Sequence, residues 1–102
     1  MQISRLEDFI DEEVWDHRGR RIGVLACYWE STSNHLFLGV KPEGDEEVRV
    51  VPGSGAHLDE AHSCVKLGFP AADVRTAPVF DCDAELRPRL EGEANEHFAV
   101  PS

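Results

Sequence analysis

The residues best suited to chemistry lie in one short stretch, "HLDEAHSC". Its eight positions hold two imidazoles, two carboxylates and a thiol, namely His57, His62, Asp59, Glu60 and Cys64. A histidine near a cysteine can remove the thiol proton, and the thiolate is the nucleophilic form. His62 and Cys64 are two positions apart, so on a strand they would share a face. One hypothesis is therefore a small thiol-dependent hydrolase that uses His62 and Cys64.

The surrounding sequence does not supply what that hydrolase needs. No glycine-rich elbow or oxyanion-hole sequence accompanies Cys64, which favours a core position for it, so we expect no catalytic residue. His57 and His62 are not spaced i, i+4, and the acidic runs do not repeat like an EF-hand loop. The glycines of "PGSGAH" are not followed by Lys and Ser or Thr, as a phosphate loop requires. We expect no metal ligand and no cofactor.

The charge balance argues against phosphate-rich partners. Twenty acidic residues against ten basic ones give a formal net charge of −10. Such a chain repels nucleic-acid backbones and anionic membrane surfaces. The alternative of an RNA-binding or ribosome-associated accessory factor would need a local basic patch, formed by Arg18, Arg20, Arg21 and Arg49. We expect no nucleic-acid partner and no membrane insertion.

Targeting and cysteine patterns predict residence in the cytoplasm. The start of the chain, "MQISRLEDFIDEE", lacks the basic and apolar regions of a signal peptide, and no apolar run approaches the roughly 20 residues of a transmembrane span. Cys27, Cys64 and Cys82 form no C-x-x-C pair. We therefore expect reduced, mostly buried thiols.

The hydrophobic pattern predicts a short helix and then strands. Ser4-x-x-Glu7 has the form of a capping box, and Leu6, Phe9 and Ile10 follow at helical spacing. Val14 and Trp15 begin a strand, "DHRGRR" makes a turn at Gly19, and "RIGVLACYWE" is a strand with two apolar faces. Such a strand belongs in a closed barrel or beneath another covering element.

Further strands are predicted at "HLFLGV", "EVRVVP" and "SCVKLGF", with "GSGAHLDEAH" as a loop that holds one helical turn. Short strands separated by Gly, Pro, Asn and Asp turns, without long helices between them, are typical of a small antiparallel β-barrel. We predict an all-β domain of five to six strands over residues 1–80.

The remaining residues, 81–102, are predicted to form an irregular, partly helical C-terminal tail. Apolar residues recur every four positions, at Leu86, Leu90, Ala94 and Phe98, and Pro88 suits a first helical turn. This narrow stripe predicts a helix that docks on its own barrel or on a neighbouring subunit.

Several motifs together resemble the PRC-barrel domain family. The first hairpin matches at Asp16, Gly19, Ile22, Gly23 and Val24. "VRVVPGSGAHLDEAHSCVKLGF" is similar to the family's later strand pair, and "VRTAPVFDCDAEL" with "EGEANEHF" resembles the tail of stand-alone members. The resemblance covers nearly the whole chain in order, and Asp16, Gly19 and Gly23 would form its structural turn motif.

The resemblance implies a small barrel that acts as a non-enzymatic protein-interaction module. A small barrel with a long tail can hide its apolar surface by docking on a second copy, so we predict a homodimer formed through an uncovered strand edge or the Pro-rich tail. The predicted partner surface comprises Trp29, Pro78, Phe80, Leu90 and Phe98.

Overall fold

The computed structural model describes residues 3–31, 34–82 and 88–100. The helices are α1 (Ile3–Leu6), α2 (Ala71–Arg75) and α3 (Pro88–His97), with a 3-10 turn over Glu7–Phe9. The strands are β1 (Glu13–Trp15), β2 (Arg21–Glu30), β3 (Leu36–Pro42), β4 (Val48–Pro52), β5 (His57–Asp59), β6 (Cys64–Lys66) and β7 (Val79–Phe80). The predicted β-rich fold is confirmed.

The seven strands form one open, mixed sheet in the order β5-β6-β1-β2-β3-β4-β7. The sequence predicted at most six strands. The structure has seven, because β5 lies in a stretch predicted as a loop and β7 in a stretch that seemed too short for a strand. The expected antiparallel-only pairing is also corrected, because β1 runs parallel to β6, with Val14 opposite Val65. Their parallel pairing is possible because the long chain between them acts as the crossover.

A β-bulge in strand β2 changes which face of the sheet its side chains point to. Leu25 pairs with Val40 and Cys27 with Gly39, which leaves Ala26 as an extra residue between them. An extra residue reverses the alternation of side chains beyond it. Leu25 and Tyr28, which strict alternation would place on opposite faces, therefore pack in the same core.

The two sheet faces carry separate hydrophobic clusters. The main core contains most buried residues of the described chain, among them Leu6, Val14, Leu25, Leu38 and Val65. A second core on the other side of β3 and β4 is built from Phe37, Val50, Phe80 and Ala94. Because Ala94 belongs to α3, this helix covers the second face. The two-faced apolar pattern of β2 thus reflects a sheet covered on both sides.

The first hairpin turns as predicted, around Asp16 and Gly19. The Oδ1 atom of Asp16 accepts hydrogen bonds from the backbone N–H groups of Arg18, at 2.9 Å, and Arg20, at 2.8 Å. Gly19 has φ of +78°, which a residue with a Cβ rarely adopts. Burial raises the pKa of Asp16, but the amide hydrogen bonds from Arg20 and Arg18 outweigh it and leave the pKa below 3.8.

The ends of the chain pack onto this sheet. The first helix begins at Ile3, so Ser4 lies inside it and the predicted capping box is wrong. Leu6 and Phe9 are buried in the main core, as expected. The predicted tail helix begins at Pro88 and buries Ala94 and Phe98; Leu86 lies outside the described residues.

Candidate interaction surface

Trp29 is the centre of the contacts that hold α3 against the sheet. Its ring stacks on Phe37 with 5.8 Å between centroids and lies 4.5 Å from the ring of Phe80. The indole Nε1 donates a hydrogen bond to Oε2 of Glu91 at 3.0 Å. Leu90 packs against the same second core and is half-buried. Two of the predicted partner residues, Trp29 and Leu90, thus contact their own chain.

Phe80 and Phe98 lie inside the protein. Phe80 is 5% exposed in the second core, and Phe98 is 7% exposed in the main core, 4.5 Å from the ring of Phe69. Neither side chain offers a surface to a partner in this structure. Of the predicted set, Pro78 remains at the margin of the sheet, half-exposed, beside the edge strand β7.

Two of the three cysteines are joined, which corrects the expectation of reduced thiols. Cys27 on β2 and Cys82 after β7 form a disulfide, with their Cα atoms 6.1 Å apart and a sequence separation of 55. Both half-cystines pack against the second core. The bond ties Cys82, two residues after β7, to β2. Cys64 is the free cysteine of the described chain, and it is buried.

Strand β7 leaves one free backbone position at the edge of the sheet. The carbonyl oxygen of Pro78 accepts a hydrogen bond from the backbone N–H of Val50 at 2.9 Å, so Pro78 faces β4. Backbone groups of successive residues in a strand point to opposite sides. The N–H and C=O of Val79 therefore point outward, away from β4.

The side chain of Val79 is exposed as well. It is 45% exposed, and among the described residues it is the one large hydrophobic side chain that is exposed and not half-buried or buried. An edge that combines free backbone groups with an exposed apolar side chain is a template for strand addition. Pro78, half-exposed and lacking an N–H, precedes Val79 and limits that template to a short length.

The opposite edge, at β5, is charged and internally paired. The Asp59 carboxylate contacts Nδ1 of His62 at 2.9 Å and Nζ of Lys66 at 3.1 Å. Hydrogen bonds from His62 and then Lys66 lower the pKa of Asp59 to about 2. The neighbouring Glu60 is paired with Arg5. Charged, paired side chains protect this edge from strand addition.

Of the four arginines that an RNA-binding patch would need, two lie beside carboxylates and two are exposed at the hairpin turn. Arg49 donates hydrogen bonds to Asp45 Oδ2, at 3.1 Å from Nη2, and to the carbonyl of Ala77, at 2.9 Å. Arg21 lies 3.6 Å from Glu13. Arg18 and Arg20 are exposed at the hairpin turn. Pairing with carboxylates reduces the positive field that a phosphate backbone would meet at Arg49 and Arg21.

The structure does not give Cys64 and His62 the properties that the thiol-dependent hydrolase alternative requires. Cys64 is fully buried in the sheet, and burial raises the pKa of its thiol, with the Asp59 carboxylate acting in the same direction. The His62 ring is turned to Asp59 and lies 5.7 Å from the ring of Trp15. An activated cysteine needs a lowered pKa and access, and Cys64 has neither.

Three features were not predictable from the sequence: the disulfide, the edge position of Val79 and the burial of Asn95. Three cysteines without a recognisable spacing do not reveal which two will meet. A two-residue strand gives no period, so its place at an edge was not predictable. Asn95 lies outside the stripe formed by Leu90, Ala94 and Phe98, so the helical period gave no signal for its burial.

No protein-family model matches this chain, and no curated protein sequence matches it either. Within the described ranges, no helix has the length and apolar character needed to cross a membrane.

Proposed function

We propose that this protein is a non-enzymatic protein-interaction module that self-associates by pairing of strand β7. The observation that carries the proposal is Val79, with its outward backbone groups and its 45% exposed side chain. Free edges of this kind recruit an extended segment by main-chain hydrogen bonds.

A second copy of the chain fits this edge through two-fold symmetry. In an antiparallel pair, two facing residues can exchange both of their N–H···O=C bonds, so Val79 of one copy would pair with Val79 of the other. The other free edge is less suited, because the Asp59–His62–Lys66 cluster already satisfies its charged groups. The interface is small, which predicts a weak dimer.

Net charge offers a way to distinguish self-association from binding to a basic partner. Two copies that each carry −10 repel each other, and salt screens that repulsion. Dimerisation should therefore strengthen as salt is added. Binding of a basic protein would weaken under the same change, because salt screens attraction equally.

We further propose that the open sheet is that of a PRC-barrel domain. The hairpin motif at Asp16, Gly19 and Gly23 supports this, together with bulges in β2 opposite β1 and β3, since bulges supply the bending that a barrel needs.

The proposed location is the cytoplasm. A reducing compartment would act against the Cys27–Cys82 disulfide, so the redox state of this pair in cells tests the location. Alkylation of intact cells before lysis should find the pair open if the location is right, whereas a closed pair would contradict it.

The test of the function is the solution mass by light scattering across protein and salt concentration. The natural chain should approach the dimer mass with rising salt, Val79→Lys should remain a monomer, and His57→Lys, a matched charge on the other edge, should behave like the natural chain. A natural chain that stays monomeric throughout, or a Val79→Lys variant that still dimerises, would overturn the proposal.

A further inference from the structure

A cavity of 480 Å³ opens where three parts of the chain meet. These parts are Asn34 and His35 just before β3, the loop after β4, and the residues at and just beyond the end of α3. Its apolar lining comes from Leu36, Phe37, Pro52 and Val100. This volume lies within the range of pockets that hold small molecules, and a mostly apolar lining is typical of them.

Asn95 brings an amide into this cavity from α3. The residue is only 6% exposed, and its backbone carbonyl accepts a hydrogen bond from the N–H of Val100 at 2.7 Å. Its side-chain amide forms no hydrogen bond with any other residue of the described chain.

The amide of Asn95 is not fully enclosed. No fully enclosed side-chain nitrogen or oxygen in the described part of the chain lacks a hydrogen-bond partner. The unpartnered amide therefore has access to open space, and the cavity is the open space that Asn95 lines. A nearly buried polar group without a partner is unfavourable unless something in the cavity bonds to it.

The remaining lining determines the charge of what can bind. The polar groups besides Asn95 are Asn34, His35 and Ser54, and none of the lining residues that the structure describes is Asp, Glu, Lys or Arg. This is unusual for a chain with thirty such residues. A charged ligand would lose hydration here and would meet no carboxylate, lysine or arginine among these residues.

We propose that this cavity binds a small, uncharged, planar molecule that carries an amide edge, such as an aromatic carboxamide or a cyclic amide. The carboxamide of Asn95 presents an NH₂ donor beside a C=O acceptor, so it can form two parallel hydrogen bonds with another amide edge. The ring of the ligand lies on Leu36 and Val100, the two half-buried apolar side chains of the lining. A peptide end would bring a charge that this lining does not match.

The test compares two probes by ¹H–¹⁵N NMR titration of the full-length chain. Benzamide retains the N–H donor, whereas N,N-dimethylbenzamide has the same ring and carbonyl but no N–H. Benzamide should give saturable shifts at the amides of Leu36, Gly53 and Val100. The dimethyl probe should bind about tenfold more weakly, which is the typical effect of leaving a buried hydrogen-bonding group unpaired.

Variants of α3 provide the second arm. Asn95→Leu should weaken benzamide binding about tenfold, while Glu96→Gln, an exposed neighbour, should leave it unchanged. Equal binding of the two probes, unchanged binding by Asn95→Leu, or no saturable shift would overturn the proposal, the last because solvent alone would then satisfy the amide. If Asn95→Leu does not fold, the probe pair on the natural chain decides.

Discussion

The indole Nε1 of Trp29 and the carboxylate Oε2 of Glu91 are 3.0 Å apart, although 62 positions separate the two residues in sequence. The hydrogen bond connects the central strand β2 to the helix that covers the second face of the sheet. It also orients the Trp29 ring, which contacts both Phe37 and Phe80. The docking of α3 therefore has a polar as well as an apolar component.

We expect Glu91→Ala to lower the free energy of unfolding by about 1 kcal/mol, because the Trp29 N–H loses its acceptor at a partly buried position. Glu91→Gln should lower it by less than half as much, since its amide oxygen can still accept. Urea denaturation followed by tryptophan fluorescence gives both values. The control is Glu93→Ala, which removes only an exposed pair with Arg89 and should change stability by less than about 0.5 kcal/mol. Equal losses for Glu91→Ala and Glu93→Ala would contradict the role given to Trp29.

Reduction should destabilise the chain through Cys27 and Cys82. Opening a loop of 55 positions enlarges the freedom of the unfolded chain, which corresponds to about 3–4 kcal/mol of stability. Denaturation midpoints measured with and without a reductant should differ for the natural chain. For Cys82→Ser they should coincide, at the lower value. A Cys82→Ser variant as stable as the oxidised chain would show that the bond adds nothing.

Two glycine-to-alanine substitutions should change stability in opposite directions. A Cβ at Gly23 would lie 2.8 Å from the Cα of Pro42 on the paired strand β3, so Gly23→Ala should destabilise the fold by about 2 kcal/mol or more. A Cβ at Gly92 in α3 would meet no atom within 4 Å, so Gly92→Ala should stabilise the fold by about 0.5–1 kcal/mol. Chemical denaturation of both variants measures the difference. A stabilising Gly23→Ala would refute the close approach of β2 and β3.

Acid should weaken the β5 edge through Asp59. Its pKa is about 2 in the folded chain and 3.8 ordinarily, so its contribution is complete above pH 3.8 and is lost as pH falls towards 2. Carboxyl ¹³C titration should return the low value for the natural chain. His62→Ala should raise the pKa of Asp59, because the variant loses the hydrogen bond that lowers this pKa most. His57→Ala, which changes a residue that does not contact Asp59 in this way, serves as the control and should leave the pKa at about 2.

Cys64 should react slowly with a thiol reagent in the native chain. The side chain is fully buried and its thiol pKa is raised, so both access and thiolate population are low. Mass spectrometry after timed alkylation should find Cys64 modified only under unfolding conditions. Fast labelling of Cys64 in the native chain would contradict this prediction and support the thiol-dependent hydrolase hypothesis.

Hydrophobic period and turn residues were sufficient to predict much of the sheet. The strands β2, β3 and β4 and the helix α3 all carry long or regular apolar patterns, and all are present. The Asp16 and Gly19 turn was predictable because its chemistry is local. Such features depend on residues a few positions apart.

The rest depends on residues far apart in sequence. The pairing of β1 with β6, the Cys27–Cys82 bond and the Trp29–Glu91 hydrogen bond are each decided only when the chain has folded back on itself. The same reason explains the candidate partner residues. Phe80 lies at the end of the predicted β domain and Phe98 in the predicted tail, and the distant residues that bury them could not be identified from the sequence.

The parallel pairing of β1 with β6 also orders events during synthesis. Val14 lies in the middle of the sheet, yet its partner Val65 is made much later. Until Lys66 has left the ribosome, β1 can pair on one side only, with β2. The emerging chain thus carries a temporary open edge beside the apolar residues that later become the main core, and the window for non-native strand pairing closes only when β6 is added.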